Sequence, residues 1–152
     1  MRIAIGSDHA GFLLKESLRE WLLAEGHDVT DVGTYSDERT DYPRYGSLVG
    51  RAVASGDAEL GVAVCGSGQG ISMAVNKVPG ARGAVIHYPL EAEMTRRHNN
   101  ANVACFGERF TTEFVAQRSL EVFLATPFDG GRHMHRVDQL TLLDQTHGKA
   151  EI

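Results

Sequence analysis

The chain has 152 residues, 42% of them hydrophobic and 23% charged, which excludes a disordered, collagen-like or small disulfide-framework protein. A single domain over 1–152 is expected, with a core large enough to stand without staples. The formal charge of −5 sets the molecule as a whole against nucleic acid and anionic membrane, so neither is an expected partner, while a local basic site stays open.

In chain order, short apolar runs at 2–6, 28–32, 60–64, 83–86 and 102–106 alternate with helix-periodic segments. After the first run, Phe12, Leu13, Leu14, Leu18, Trp21 and Leu22 recur at helical spacing, and Gly26 supplies the stop. Further helices are predicted at 45–56, 71–77, 89–98 and 112–125, with a last one at 132–143 that no strand follows. Asp41-Tyr42-Pro43 reads as a turn, and the tail 146–152 carries no predicted element. Parallel strands joined by crossover helices make an α/β fold. It is a three-layer αβα sandwich, Rossmann-like or flavodoxin-like, with a five-stranded sheet and a C-terminal helix. In a flavodoxin-like 2-1-3-4-5 order the first and third strands are neighbours across the switch point, and a ligand site lies beyond their carboxyl ends.

Cys65 and Cys105 make no disulfide framework, so a reducing, cytoplasmic setting is expected. Only a short apolar run precedes glycine and charge at the N-terminus, and no later run approaches ~18 apolar residues. Neither a signal peptide nor a membrane span is predicted.

The first strand ends in Gly6-Ser7-Asp8-His9 and the third in Cys65-Gly66-Ser67-Gly68-Gln69-Gly70, so the two most polar loops should face each other. The second loop lacks G-x-x-x-x-G-K-[ST] and fits G-x-G only loosely, which argues against ATP and NAD. Its alternating glycines let backbone N–H groups converge on an anion or oxyanion, with a helix N-terminus behind them. The same donors favour a thiolate at Cys65, able to act as base or nucleophile. A buried strand-end cysteine beside glycines that serve tight turning is the competing reading.

Asp8 and His9 can bind hydroxyls or phosphate, or be an N-cap and a surface histidine. In Arg96-Arg97-His98-Asn99-Asn100 the cations can simply complement a helix C-terminus. Arg132-His133-Met134-His135-Arg136 places two guanidinium groups on one helical face, as phosphate binding needs, or forms a solvated basic face. Residues 77–136 hold eight Lys/Arg against six Asp/Glu, whereas 1–76 hold six against eleven, so the basic excess is local. The histidines show no H-E-x-x-H and the cysteines no paired ligand spacing, so no zinc site is expected.

Taken together, these residues resemble the ribose-5-phosphate isomerase B family, within the wider RpiB/LacA/LacB sugar-phosphate isomerases, from Arg2 to about Leu143. The resemblance is carried by Gly6-Ser7-Asp8-His9-Ala10-Gly11, Asp37-Glu38-Arg39-Thr40-Asp41-Tyr42-Pro43, the Cys65 loop with Ile71-Ser72, and Asn76-Lys77. It continues through Arg97-His98-Asn99, Phe106-Gly107-Glu108-Arg109 and Gly130-Gly131-Arg132-His133 with Arg136.

The resemblance implies interconversion of ribose 5-phosphate and ribulose 5-phosphate without metal or organic cofactor. It makes Cys65 the base that moves a proton between C2 and C1 through a cis-enediolate, and His98 the residue that opens the furanose ring. Ser67 stands where threonine is common and keeps a hydroxyl to polarise the substrate. Gly66, Gly68, Gln69 and Gly70 are expected to bind substrate, and the loop's N–H groups can stabilise the enediolate oxygen; Asp8 holds the ring oxygen or hydroxyls, and Tyr42 lines the sugar pocket. His9, Arg132 and Arg136 clamp the phosphate. Some members place a glutamate directly after the glycine loop as base; here Ile71 stands there, which makes this chain the cysteine type.

Family members are dimers or tetramers with shared sites. That implies a homodimer or homotetramer here, with His98, Asn99 and Arg109 reaching a neighbouring chain's pocket. Asn76 and Lys77 fit structural support as well as substrate contact, His133 and His135 are candidate phosphate neighbours, and Cys105 is expected in the core. Two alternatives stay open. One is an isomerase of allose 6-phosphate, galactose 6-phosphate or a tetrose phosphate; the other is a non-catalytic phosphosugar-binding subunit.

Overall fold

The computed structural model describes residues 1–151. Its elements are β1 (Arg2–Ser7), α1 (Phe12–Ala24), β2 (Asp28–Asp31), α2 (Tyr42–Ala54), β3 (Leu60–Cys65), α3 (Gln69–Val75), β4 (Gly83–Val85), α4 (Pro89–Asn99), β5 (Val103–Gly107), α5 (Glu113–Ala125) and α6 (Met134–Gln145). Short 3-10 turns at His9–Gly11 and Gly131–His133 precede α1 and α6.

All strand pairs are parallel, and the order is β2-β1-β3-β5-β4. The expected order therefore holds on the β2-β1-β3 side and is corrected on the other, where β5 lies inside and β4 outside. Burial explains the exchange. Every residue of Val-Ala-Cys-Phe-Gly in β5 is buried, whereas the three residues of β4 are all half-buried. The wholly apolar strand takes the position covered on both faces, and the short one takes the edge.

Side chains alternate between two cores. Leu60, Val62 and Val64 of β3 join Leu14, Leu18 and Leu22 of α1 and Leu120 and Phe123 of α5 on one face. Ala63 and Cys65 join Tyr45, Val49 and Val53 of α2 and Ile71 and Val75 of α3 on the other. The period of two along β3 thus aims Cys65 at the α2/α3 layer.

Element ends differ from expectation where special residues decide them. Gly26, at φ +80°, closes α1 as predicted. Asp41-Tyr42-Pro43 does not form a free turn: it opens α2, with Asp41 at the N-cap and Pro43 in the first turn, where its missing N–H costs no helical bond. The last helix starts at Met134 rather than at 132, because Gly130 and Gly131 sit at positive φ and Arg132 lies in the 3-10 turn. Arg132 therefore lies in the turn that leads into the helix carrying Arg136. Beyond α6 the Gly148 N–H donates to the Leu143 carbonyl at 2.8 Å and closes the helix. Ile152 lies outside the described residues. Among the described residues no helix is long and apolar enough to cross a membrane.

Lys15 of α1 is fully buried, and its ammonium meets the carboxylates of Asp31 and Glu16. Asp31 also accepts the Gly33 N–H at 2.8 Å, so the pair fixes α1 to the loop that leaves β2. Removing the lysine charge leaves Asp31 without its principal counter-ion. Lys15→Met is expected to lower the unfolding free energy by about 3 kcal/mol in urea denaturation near neutral pH; a change inside about 0.5 kcal/mol would refute this role. Burial raises the Glu16 carboxyl, but hydrogen bonds from Lys15 and Arg19 outweigh it and hold the group below its ordinary value of 4.5. A carboxyl lowered by folding stabilises fully above the unfolded value and loses that contribution as pH falls through the folded one. The wild type should therefore lose stability more steeply than Lys15→Met as pH drops below about 4.5.

Candidate active site

The ends of β1, β3 and β5 lie side by side, and backbone hydrogen bonds join their exit loops. The Asp8 N–H donates to the Val64 carbonyl at 3.2 Å, the Glu108 N–H to the Cys65 carbonyl at 2.9 Å, and the Arg109 N–H to the Gly66 carbonyl at 3.0 Å. Between these loops opens a recess of about 260 Å³, small for a ligand pocket and suited to a small polar molecule. Asp8, His9 and Ala10 line it just after β1, Cys65, Gly66 and Ser67 at the end of β3, Gly70 in α3, Tyr42 in α2 and Arg109 just after β5.

Cys65 is 4% exposed, and its sulfur accepts the Gly68 N–H at 3.1 Å. Gly68 sits at φ +78°, a conformation that frees its N–H to turn back on the sulfur and that a side chain would resist. A donor aimed at Sγ stabilises negative charge there. Cys105 differs: it is fully buried, and burial, with Cys65 adding to it, pushes its thiol far above the usual range. It stays a core residue, as expected. The Ser67 hydroxyl accepts the Gln69 N–H at 3.3 Å, while Gln69 itself is exposed and, like Gly68, lies outside the recess lining. Tyr42 packs so closely on Gly70 that an added Cβ would lie 2.8 Å from its ring.

Asp8 fulfils both of its readings. One oxygen accepts the Ala10 and Gly11 N–H groups at 3.0 and 3.1 Å, an N-cap contact, while the residue also lines the recess. Burial pushes its carboxyl up, against the pull of His9, the two N–H groups and Arg109. His9 Nδ1 lies 2.9 Å from the Thr40 carbonyl and 3.2 Å from the Thr40 nitrogen, so this side of the ring is held by backbone in either tautomer. Its Nε2 remains for a ligand. Arg109 lies in the same chain's recess as Cys65, not in the position of a residue that must reach a neighbour.

His98, Asn99, Arg132 and Arg136 lie outside this lining. They belong to a second cluster at the end of α4 and the start of α6. The rings of His98 and His133 stack with centroids 4.4 Å apart and planes 11° from parallel. Arg132 Nε donates to His133 Nε2 at 3.3 Å, and Arg97 Nε reaches both Asp129 oxygens at 3.1 Å. Burial, then His98, Arg132 and Arg136, push the His133 imidazole down, with Asp129 opposing. His98, Asp129 and His133 bring ligating atoms within 4.8 Å of one another. Parallel imidazoles, however, send their in-plane lone pairs side by side instead of to one point, and Arg97 already occupies the carboxylate.

Sequence reasoning missed two roles. Glu108 accepts the Leu14 N–H at 3.0 Å and so caps α1, whose own N-cap is Gly11 and offers no side chain. Asp129 orients Arg97, and a lone acid beside Gly130-Gly131 was its only signal. Asn76 is structural: its amide donates to the Ser72 and Gly83 carbonyls and accepts the Gly83 N–H. Lys77 and His135 are exposed and lie outside the recess lining.

A family model for ribose/galactose isomerases matches residues 3–140. Ribose-5-phosphate isomerase B of Escherichia coli is 43% identical over 144 residues, 95% of this chain and 97% of that protein. Galactose-6-phosphate isomerase subunit LacB of Clostridium acetobutylicum is 41% identical over 128 residues, 84% of this chain and 74% of that protein. The structure of ribose-5-phosphate isomerase B from Clostridium thermocellum superposes with a TM-score of 0.95 at 41% identity, covering 97% of this chain and 99% of that one. The Mycoplasma genitalium enzyme of the same name, with ribulose 5-phosphate bound, gives a TM-score of 0.90 at 38% identity, covering 95% and 96%.

The contrast between the two thiols is directly measurable. Limited iodoacetamide treatment of the folded chain should give one adduct, on Cys65, because reactivity follows thiolate character and access. Mass spectrometry showing Cys105 modified first would refute this account of the recess.

Proposed function

The chain belongs to the ribose/galactose isomerase family of sugar-phosphate isomerases, and from that premise we propose that it interconverts ribose 5-phosphate and ribulose 5-phosphate. The observation that carries the reading is the Gly68 N–H on Cys65 Sγ, inside a recess that also holds Asp8, His9, Tyr42 and Arg109. A relative with ribulose 5-phosphate bound and the same fold supports this choice of substrate.

Ring opening comes first, with His98 as the acid and base for the furanose oxygen and Asp8 holding the hydroxyls. The Cys65 thiolate then takes the proton from C2, the electron pair forms the C1–C2 double bond, and negative charge develops on O1. N–H groups of the glycine loop and the Ser67 hydroxyl stabilise that charge. The proton returns to C1 while the O2 proton moves to O1, leaving a carbonyl at C2. The reaction is an internal redox exchange, so it balances without an external electron acceptor. His9 and Arg109 bind the phosphate from one side, and Arg132 and Arg136 complete the clamp.

His98, Arg132 and Arg136 lie outside the Cys65 recess of their own chain, so we assign them to the recess of a second copy. On this reading the working unit is at least a homodimer with shared sites. The LacB relative supports a second substrate reading, galactose 6-phosphate or another hexose phosphate.

Two experiments test the proposal. Cys65→Ala should lower kcat/KM for ribose 5-phosphate by at least about a hundredfold with folding intact, while wild-type kcat/KM should be higher for this pentose than for galactose 6-phosphate, allose 6-phosphate or a tetrose phosphate. Preference for another sugar would move the assignment to that substrate, and binding without turnover would leave only a phosphosugar-binding subunit. Mixing Cys65→Ala with His98→Asn chains, each inactive alone, should restore activity, because a mixed dimer contains one site with both native residues. No recovery after subunit exchange would place both residues in a single chain's site.

A further inference from the structure

Resting on the isomerase reading, we propose that His133 is a positioning residue for ring opening: its imidazole face, stacked on His98, fixes that ring in place.

The neutrality of His133 follows from its hydrogen bond. Arg132 Nε is a donor at every accessible pH, and it lies 3.3 Å from His133 Nε2. That nitrogen must therefore offer its lone pair, which places the ring proton on Nδ1 and leaves the imidazole uncharged. The surroundings act in the same direction. His133 is 7% exposed, and its burial, then His98, Arg132 and Arg136, disfavour a charge on it, with Asp129 alone opposing.

A ring centroid at 4.4 Å with planes 11° from parallel is a close stacked contact between the two rings. The face that His98 meets is thus an uncharged one. Face-to-face contact also restricts rotation of the His98 ring, so Nδ1 and Nε2 keep fixed directions. The surrounding charges complete the arrangement: Arg97 of α4 holds Asp129, Arg132 comes from the 3-10 turn, and Arg136 from α6. General acid catalysis gains from such preorganisation, since a small misplacement of the donor costs much of the rate.

Two reactions of one enzyme separate positioning of His98 from general support of the fold. Conversion of ribose 5-phosphate needs both ring opening and the Cys65 proton step. Exchange of solvent deuterium into C1 of ribulose 5-phosphate, an open-chain ketose, needs only the second. His133→Ala should lose about tenfold or more in kcat/KM for ribose 5-phosphate, while deuterium exchange stays within about twofold of wild type. His133→Phe keeps a ring face and should regain a substantial part of the loss. Three outcomes would overturn the proposal: a parallel fall in both reactions, a full isomerisation rate in His133→Ala, or a phenylalanine variant no better than alanine. If the unsubstituted chain neither isomerises nor exchanges, the isomerase reading fails first and this proposal falls with it.

Discussion

The carbonyls of Val64, Cys65 and Gly66 are the fixed points from which the rest of the site is built. Each accepts an N–H from a loop that leaves a neighbouring strand, Asp8 on one side and Glu108 and Arg109 on the other. Such contact between backbones leaves no room for side chains. A Cβ at Gly11 would lie 2.6 Å from the Val64 backbone, and one at Gly107 would lie 2.5 Å from that of Ser67. Part of the glycine-rich composition is thus spent where three strand ends must touch. Because the loops touch, the thiol, the Asp8 carboxylate and the Arg109 guanidinium are held in one recess instead of on three independent loops.

Local charge follows a similar division between structure and site. Residues 77–136 carry a basic excess, yet several of those cations have structural partners. Arg82 Nε donates to the Asn100 carbonyl and Arg96 Nε to the Thr126 carbonyl. Burial holds both guanidinium groups below their ordinary value. Arg97 binds Asp129 and Glu93. Among the described residues Arg109, Arg132 and Arg136 have no carboxylate within salt-bridge distance, and the proposed function assigns them to the phosphate. An acidic protein can therefore receive one small phosphate without attracting polyanions.

Much of this was legible in the sequence, for physical reasons. Alternation of apolar runs with helical periodicity is a local property, so the α/β class and the five strands could be read directly. The neighbourhood of β1 and β3, and hence the facing of Asp8 and Cys65, followed from the topology rule for such sheets. The exchange of β4 and β5 was not legible from periodicity, because it depends on competition between two strands for one interior position. The burial of Lys15 was hidden for a related reason: a lysine in an amphipathic helix looks solvated until Asp31 is brought to it. The stacking of His98 on His133 joins two segments distant in sequence, the second of them just after the positive-φ pair Gly130-Gly131, and neither helix shows it alone.

The order β2-β1-β3-β5-β4 also bears on how the chain is made. A ribosome releases β4 before β5, yet β4 pairs only with β5. During synthesis β4 must wait as an unpaired apolar segment until the following strand inserts between it and β3. The amino end of α1 waits as well, since its cap at Leu14 comes from Glu108. Early and late segments therefore close on each other last, and completion of the Cys65 loop's contacts with Glu108 and Arg109 coincides with completion of the sheet. Such long-range closure slows folding and lengthens exposure to aggregation, and a chain truncated before residue 103 would lack Glu108, Arg109 and a finished site.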